Sequence, residues 1–297
     1  YKNYLNLILQ SGTDRMRFIQ ELLQNADDCT YPQDRTPSFS FQQHSKKIVT
    51  EYNEQGFTKE NIRSITAIGE STKNKIINDD LQNGEKGVGF KTVFAIASEV
   101  NIHSGDYHFS LSADEPTIPR LINGVKEPVE GTRMEITLKD QSPILSMDAT
   151  NILELCLCLR RIRKLNFNGH KVSITDTDSQ RILTIDNRSY VFSKYVHPFT
   201  ISDKNALAEW ENGSRKISPH QVITCYVPEK MSSDGFPLYN GFPTKHRIRI
   251  PMVIDAPFAL TTSREMIDTD CISWNNIIKE EMYHAILEVI HARKETD

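Results

Sequence analysis

The sequence predicts an α+β protein of two domains. Helical and strand-like periodicities alternate up to residue 165, and a texture of short alternating strands follows beyond Asn166. The length, 297 residues, suits about two domains. The first domain is expected over residues 1–165 and a smaller α+β domain over 166–297.

Thr13 to Cys29 places Phe18, Leu22, Leu23 and Ala26 at helical spacing, with Thr13 or Asp14 as the cap. A polar loop with two prolines, Tyr31 to Pro37, leads into two strands, Phe39 and Phe41 in one and Ile48, Val49 and Tyr52 in the other. Thr58 opens a helix to Ile68, with Glu60 in its first turn. From Gly69 to Gly89 the pattern gives way to Gly, Asn, Asp, Lys and Ser, which reads as a loop of about twenty residues. A helix over Phe90–Ala97 and strands at Val100–His103, Tyr107–Leu111 and Arg133–Leu138 come next. Asp148 to Leu165 reads as one helix, apolar on nearly every side and so set between two packed layers. Strands then follow at Lys171–Thr175, Arg181–Ile185, Tyr190–Ser193, Val222–Val227 and Arg247–Val253. The final helix, Trp274–His291, carries Trp274, Ile277, Ile278, Met282, Ala285, Ile286, Val289 and Ile290 on one stripe.

Composition narrows the function class only slightly. Lys and Arg number 35 against 39 Asp and Glu, a net charge of −4, which gives no broad nucleic-acid footprint. No apolar run approaches the roughly 18 residues of a membrane span. Five cysteines without regular spacing fit a reducing compartment, and a cytoplasmic location is expected, the nucleus being compatible. The chain opens on Tyr1 without a secretory signal, which reads as a piece of a longer protein.

Four segments carry chemistry. Glu21, Asn25 and Asp28 fall at i, i+4 and i+7 on one helix face. Alone, that is a solvated polar face; it also suits a nucleotide site, because a carboxamide oxygen binds a hard cation and a carboxylate orients water. Asn53-Glu54-Gln55-Gly56-Phe57-Thr58 is a strand-to-helix turn in which Asn53 offers a donor and an acceptor to a purine edge, and Gly56 permits close backbone approach. Gly84-Glu85-Lys86-Gly87-Val88-Gly89-Phe90-Lys91 sets a glycine-rich bend before a helix, an anion nest, with Lys73, Lys75, Lys86 and Lys91 adding mobile positive charge. It is neither a Walker A sequence nor a dinucleotide fingerprint. Gly131-Thr132 precedes a strand and offers a hydroxyl.

In that order, ELLQNAD, NEQGF, a lid-like loop, GEKGVGF and GT resemble the GHKL ATPases, over roughly residues 13–140. The superfamily includes gyrase B, the large heat-shock chaperone ATPase and the sensor histidine kinases. ELLQNADDC, NEQGF, IGESTK and GVGFK, with Ile254 to Glu265 later in the chain, are most similar to its sacsin and NO VEIN-like branch. The resemblance implies a Bergerat fold, a two-layer α/β sandwich with helices on one face of a mixed sheet, followed by the smaller second domain. It also implies ATP and Mg²⁺ as ligands. Glu21 falls on the general base, Asn25 on the Mg²⁺ ligand, and Asp28 on a position supporting the pocket. Lys86, Gly87, Val88, Gly89 and Phe90 fall on the phosphate motif, Lys73 and Gly69–Gly84 on the ATP lid, and Thr132 beside the adenine. The superfamily reads adenine with Asp in D-x-G-x-G; here Asn53, with Gly56, stands as the substitute.

Arg264 matches the arginine that chaperone-type ATPases turn toward the γ-phosphate; an ordinary surface or interdomain ion pair is its plainer reading. Cys156 and Cys158 diverge on a helix, so they share no metal, and the run Arg160–Lys164 reads as a helix C-terminal dipole match. The expected function is a slow, Mg²⁺-dependent ATPase module whose lid closure is coupled to conformational change in a larger chaperone-like or defence or processing protein. The alternative is a nucleotide-sensing scaffold that does not hydrolyse. Expected partners are ATP and ADP, further domains of the same polypeptide and a second copy in an ATP-dependent dimer; neither membrane nor nucleic acid is indicated. A histidine kinase would need an upstream dimerising helix pair, for which the residues before Thr13 are too few.

Overall fold

The computed structural model describes residues 15–66, 89–124, 127–139, 147–212, 218–230, 235–261 and 264–294. The chain divides into two units, Tyr1–Asn151 with Arg160–Ser173, and Ile152–Leu159 with Ile174–Asp297.

In the first unit, helix α1 (Arg15–Asp27) buries Phe18, Ile19, Leu22, Leu23 and Ala26, the stripe its periodicity predicts. Phe18 meets Phe41 of strand β1 (Ser38–His44) with ring centroids 6.1 Å apart. β1 turns through Ser45, φ +51°, into antiparallel β2 (Lys47–Tyr52). Helix α2 (Lys59–Thr66) is capped reciprocally: Asn61 N–H donates to Thr58 Oγ1 at 3.3 Å, and Thr58 N–H donates to Asn61 Oδ1 at 2.8 Å. The helix expected over Phe90–Ala97 is a 3₁₀ helix, η1 (Gly89–Ala95), and Ala97 already belongs to strand β3 (Ala97–Gly105). β4 (Tyr107–Ser112), the two-residue β5 (Arg120–Leu121) and β6 (Val129–Leu138) complete this stretch. β2 pairs β6, β6 pairs β3, β3 pairs β4 and β4 pairs β5, all antiparallel.

The largest departure from expectation comes next. Helix α3 (Ala149–Cys156) stops after eight residues instead of running to Leu165. Asp27, at the end of α1, is 1% exposed, and its carboxylate accepts the backbone N–H groups of Arg160, Arg161 and Ile162, each at 2.8 Å. Those donors cannot also serve a helix. The chain straightens into β7 (Lys164–Phe167), which pairs parallel with β1, Phe39 opposite Leu165. The residues read as an all-round apolar helix are buried because they lie in a turn and a central strand. The basic run 160–164 is outside any helix, so its dipole reading fails, and Cys158 lies beyond the helix end.

β8 (His170–Asp176) is antiparallel to β7. In the second unit β9 (Gln180–Ile185), β10 (Arg188–Thr200) and β11 (His220–Pro228) are antiparallel neighbours. Helix α4 (Lys204–Asn212) and strand β12 (Phe236–Asn240) were not predicted. The single strand predicted over Arg247–Val253 is split between β13 (Phe242–Ile248) and β14 (Val253–Asp255), with Pro251 in the break. Helix α5 (Ile272–Lys294) closes this unit's core, burying Trp274, Ile278, Ala285 and Val289 against Ile223, Cys225 and Phe258; Ile290 of the predicted stripe is exposed. Glu209 on α4 caps α5: its carboxylate accepts Ser273 Oγ–H at 2.7 Å and Trp274 N–H at 3.1 Å. The Trp210 and Trp274 rings stack with centroids 3.9 Å apart.

These pairings correct the expected fold class. Among the described residues fourteen strands run in one mixed sheet, ordered β13-β12-β14-β11-β10-β9-β8-β7-β1-β2-β6-β3-β4-β5, in place of a two-layer Bergerat sandwich. Among the described residues strand outweighs helix. The physical reason is the early end of α3, which frees β7 to join β1 as a strand. No helix among the described residues is long and apolar enough to cross a membrane.

Burial pushes the Asp27 carboxyl upward and its three backbone donors pull it down; burial wins. Asp27→Ala leaves those donors without their acceptor. At about 1–3 kcal/mol per unsatisfied buried group, the expected loss is about 3 kcal/mol or more, read from urea unfolding midpoints of parent and variant.

Candidate functional site

The predicted face of α1 is not solvated. Glu21 is 8% exposed and Asp28 3%, with Asn25 half-buried between them and Gln24 buried beside them. α1 packs on η1, where Phe90 stands edge-on to Phe94 with centroids 6.3 Å apart. Gly89 opens η1. Lys91 is buried rather than mobile, and desolvation lowers the pKa of its ammonium. Lys73, Lys86, Gly87 and Val88, with the lid Gly69–Gly84, lie outside the described residues.

The turn after β2 places its residues differently from the sequence reading. Asn53 is spent on backbone: Oδ1 accepts Ser38 N–H at 2.7 Å and Nδ2 donates to Thr36 O at 2.9 Å. The neighbouring Glu54 points inward, 5% exposed. Its Oε2 accepts Gly56 N–H at 2.6 Å and its Oε1 accepts the Thr132 hydroxyl at 2.5 Å. Thr132 Oγ1 lies 2.5 Å from Ser104 Oγ, which accepts Phe57 N–H at 2.7 Å. Because Thr132 gives its one proton to Glu54, Ser104 donates to Thr132. The donors therefore run in one direction, from Phe57 through Ser104 and Thr132 to the Glu54 carboxylate. Burial raises that carboxyl above its ordinary 4.5, with the bonds from Thr132 and Gly56 opposing the rise.

Two glycines let the backbone close around this relay. Gly56 has φ +90°, and a Cβ there would stand 3.2 Å from Gly105 N. Gly131, φ +70°, abuts Tyr52, where a Cβ would lie 2.2 Å from the carbonyl oxygen. Only glycine fits either position.

Glu54 and Ser104, which the sequence reading did not single out, complete this buried cluster with Thr132. The signal for Glu54 was its Glu-x-Gly spacing, one carboxylate two residues before the glycine that turns the chain.

In the second unit Arg264 has φ +56°, and its N–H donates to Thr261 O at 2.7 Å. The legs of its loop are pinned by Asn275, 2% exposed, whose amide accepts Ala259 N–H at 2.8 Å and donates to Asp268 O at 2.8 Å. Thr262 and Ser263 lie outside the described residues. No cluster of three or more His, Cys, Asp or Glu among the described residues is placed to hold a metal. An oxygen donor set drawn from Glu21, Asn25 and Asp28 would suit a hard divalent cation rather than zinc.

No protein-family model matches the chain. Over 111 residues it is 40% identical to Protein NO VEIN of Arabidopsis thaliana. That stretch is 37% of this chain and 4% of the relative, so the chain spans a small part of the protein it matches.

Thr132→Val removes a buried donor from Glu54 and an acceptor from Ser104 at nearly constant volume. The expected cost is about 1–3 kcal/mol, measured by chemical unfolding, with the Glu54 carboxyl shifted further upward in a carboxyl-resolved NMR titration.

Proposed function

We propose that this chain contains a Mg²⁺-dependent ATP-binding and ATP-hydrolysing module of the GHKL kind. The observation that carries the proposal is the buried Glu54 relay in the first unit. A carboxylate has about four acceptor positions. Glu54 accepts donors from Gly56 and Thr132, with Ser104 adjoining, and retains capacity for another donor such as the exocyclic amine of adenine. A purine carrying a carbonyl there would set oxygen against oxygen. Glu54 thus takes the base-reading role assigned to Asn53 from the sequence.

The α1 face supports the other half of the reading. Glu21 is a buried carboxylate suited to orienting an attacking water, Asn25 one turn on is suited to Mg²⁺, and Asp28, one residue past the end of α1, is buried as well. Mg²⁺, when bound, would offset the charge of the triphosphate. The proposed consequence is closure of the lid and conformational change in a larger chaperone-like or defence or processing protein, with further domains or a second copy as partner. The roles proposed for the glycine motif and for Arg264 follow from the resemblance alone.

Calorimetry with Mg·ATP and a phosphate-release assay test the reading. Glu21→Ala is expected to keep nucleotide binding and lose hydrolysis by about 100-fold or more. Asn25→Ala is expected to lose Mg·ATP binding. Binding without phosphate release in the parent would favour the nucleotide-sensing scaffold, and absence of binding would end both readings.

Glu54→Gln tests base recognition through pH. With its carboxyl raised above 4.5 in the fold, parent affinity should fall as pH drops through that raised value, while the variant should bind weakly with a flat profile. The stability sign is opposite: the folded state holds this proton more tightly, so the carboxyl's stability contribution falls as pH rises from 4.5 through the raised value.

A further inference from the structure

Away from that site, helix α5 carries Glu281 and Glu288, seven residues apart and so on one face. Strand β10 sets His197 between them. Its Nε2 lies 3.0 Å from Glu281 Oε2 and its Nδ1 3.0 Å from Glu288 Oε2. The imidazole is 13% exposed, against 29% and 61% for the two glutamates.

A neutral imidazole has one N–H and one lone pair. In that form one of the two contacts would press a lone pair against a carboxylate oxygen. Only the imidazolium donates through both nitrogens, so the geometry is that of the charged ring.

The remaining neighbours do not compensate for loss of that charge. On β10, Tyr195 and Phe199 flank His197 on the same face, the Phe199 ring stacked at 6.1 Å. Across β11, Cys225, Ile223 and Gln221 stand opposite Tyr195, His197 and Phe199. Burial, then the charge of Glu288, pushes the Cys225 thiol up to about 12. On α5, Lys279 and Glu280 precede Glu281, and the exposed His284 packs its ring edge-on against Tyr283.

We propose that His197 is a pH-operated latch for the C-terminal helix. Protonated, it fastens α5 to β10 at two points about two turns apart; deprotonated, it keeps one bond, opposes the other carboxylate and loosens the 281–288 stretch. Burial works against the charge on His197, but Glu281 and Glu288 outweigh it and hold the imidazolium above the ordinary 6.5. The folded value is above the unfolded one, so the latch is complete below about pH 6.5 and is lost as pH rises through the folded value.

The test follows the histidine ring protons by NMR from about pH 5 to about pH 9, with His197 assigned by the signal missing in His197→Gln. His197 should titrate above 6.5 in the parent and move down in Glu281→Gln/Glu288→Gln, each unit lost being a tenfold drop in proton affinity. Thermal unfolding should show the parent losing more stability than His197→Gln between about pH 6 and about pH 8.5. Titration at or below 6.5 in the parent, or an unmoved value in the double glutamate variant, overturns the latch. If His197→Gln does not fold, the resonance that shifts in the glutamate variants identifies the ring and decides the matter.

Discussion

The first unit depends on one carboxylate. Asp27 gathers three consecutive N–H groups from a segment more than 130 residues away in sequence, and that grip decides whether residues 157–165 remain helical or become a turn and a strand. Helix propagation gives each interior N–H one carbonyl partner four residues back. A fixed, buried anion is a stronger acceptor, since charge-assisted bonds are roughly twice as strong as neutral ones. The placement of β7 beside β1 follows from that competition.

Glu54 uses the same chemistry with another outcome. Asp27 is served by three backbone donors, which suits an anchor. Glu54 is served by one backbone donor and a chain of hydroxyls, whose protons can rotate where a backbone N–H cannot. Both carboxyls are pushed upward by burial, yet only the second retains adaptable partners. Ser104 is the less visible member of this arrangement. It receives from Phe57 and passes its own proton on, so the turn after β2 and the start of β6 are joined through a strand that neither adjoins in sequence.

Elements with uninterrupted periodicity were legible in the sequence. α1 announces itself through Phe18, Leu22, Leu23 and Ala26, and β1, β2, β3, β4 and β6 through alternation. The end of α3 was not legible, because a buried strand and a buried helix both read as continuous apolar runs. Nor was β12: Pro237 lies inside it, tolerated where the register against β13 slips between Pro237 and Tyr239. In the turn after β2, Asn53 bonds the backbone of Ser38 and Thr36 while Glu54 points inward, a difference that composition and spacing do not reveal. Both residues lie past the end of β2, in a turn, where no alternation fixes the direction of a side chain.

The two-residue β5 has a further consequence. It covers the free side of β4 through Phe109–Leu121 and Ser110–Arg120, and the Arg120–Glu115 ion pair stands at that margin. An approaching chain finds too few backbone groups to extend and a charged pair in its way. Even with Leu121 open to water, this margin is a poor template for amyloid-like growth.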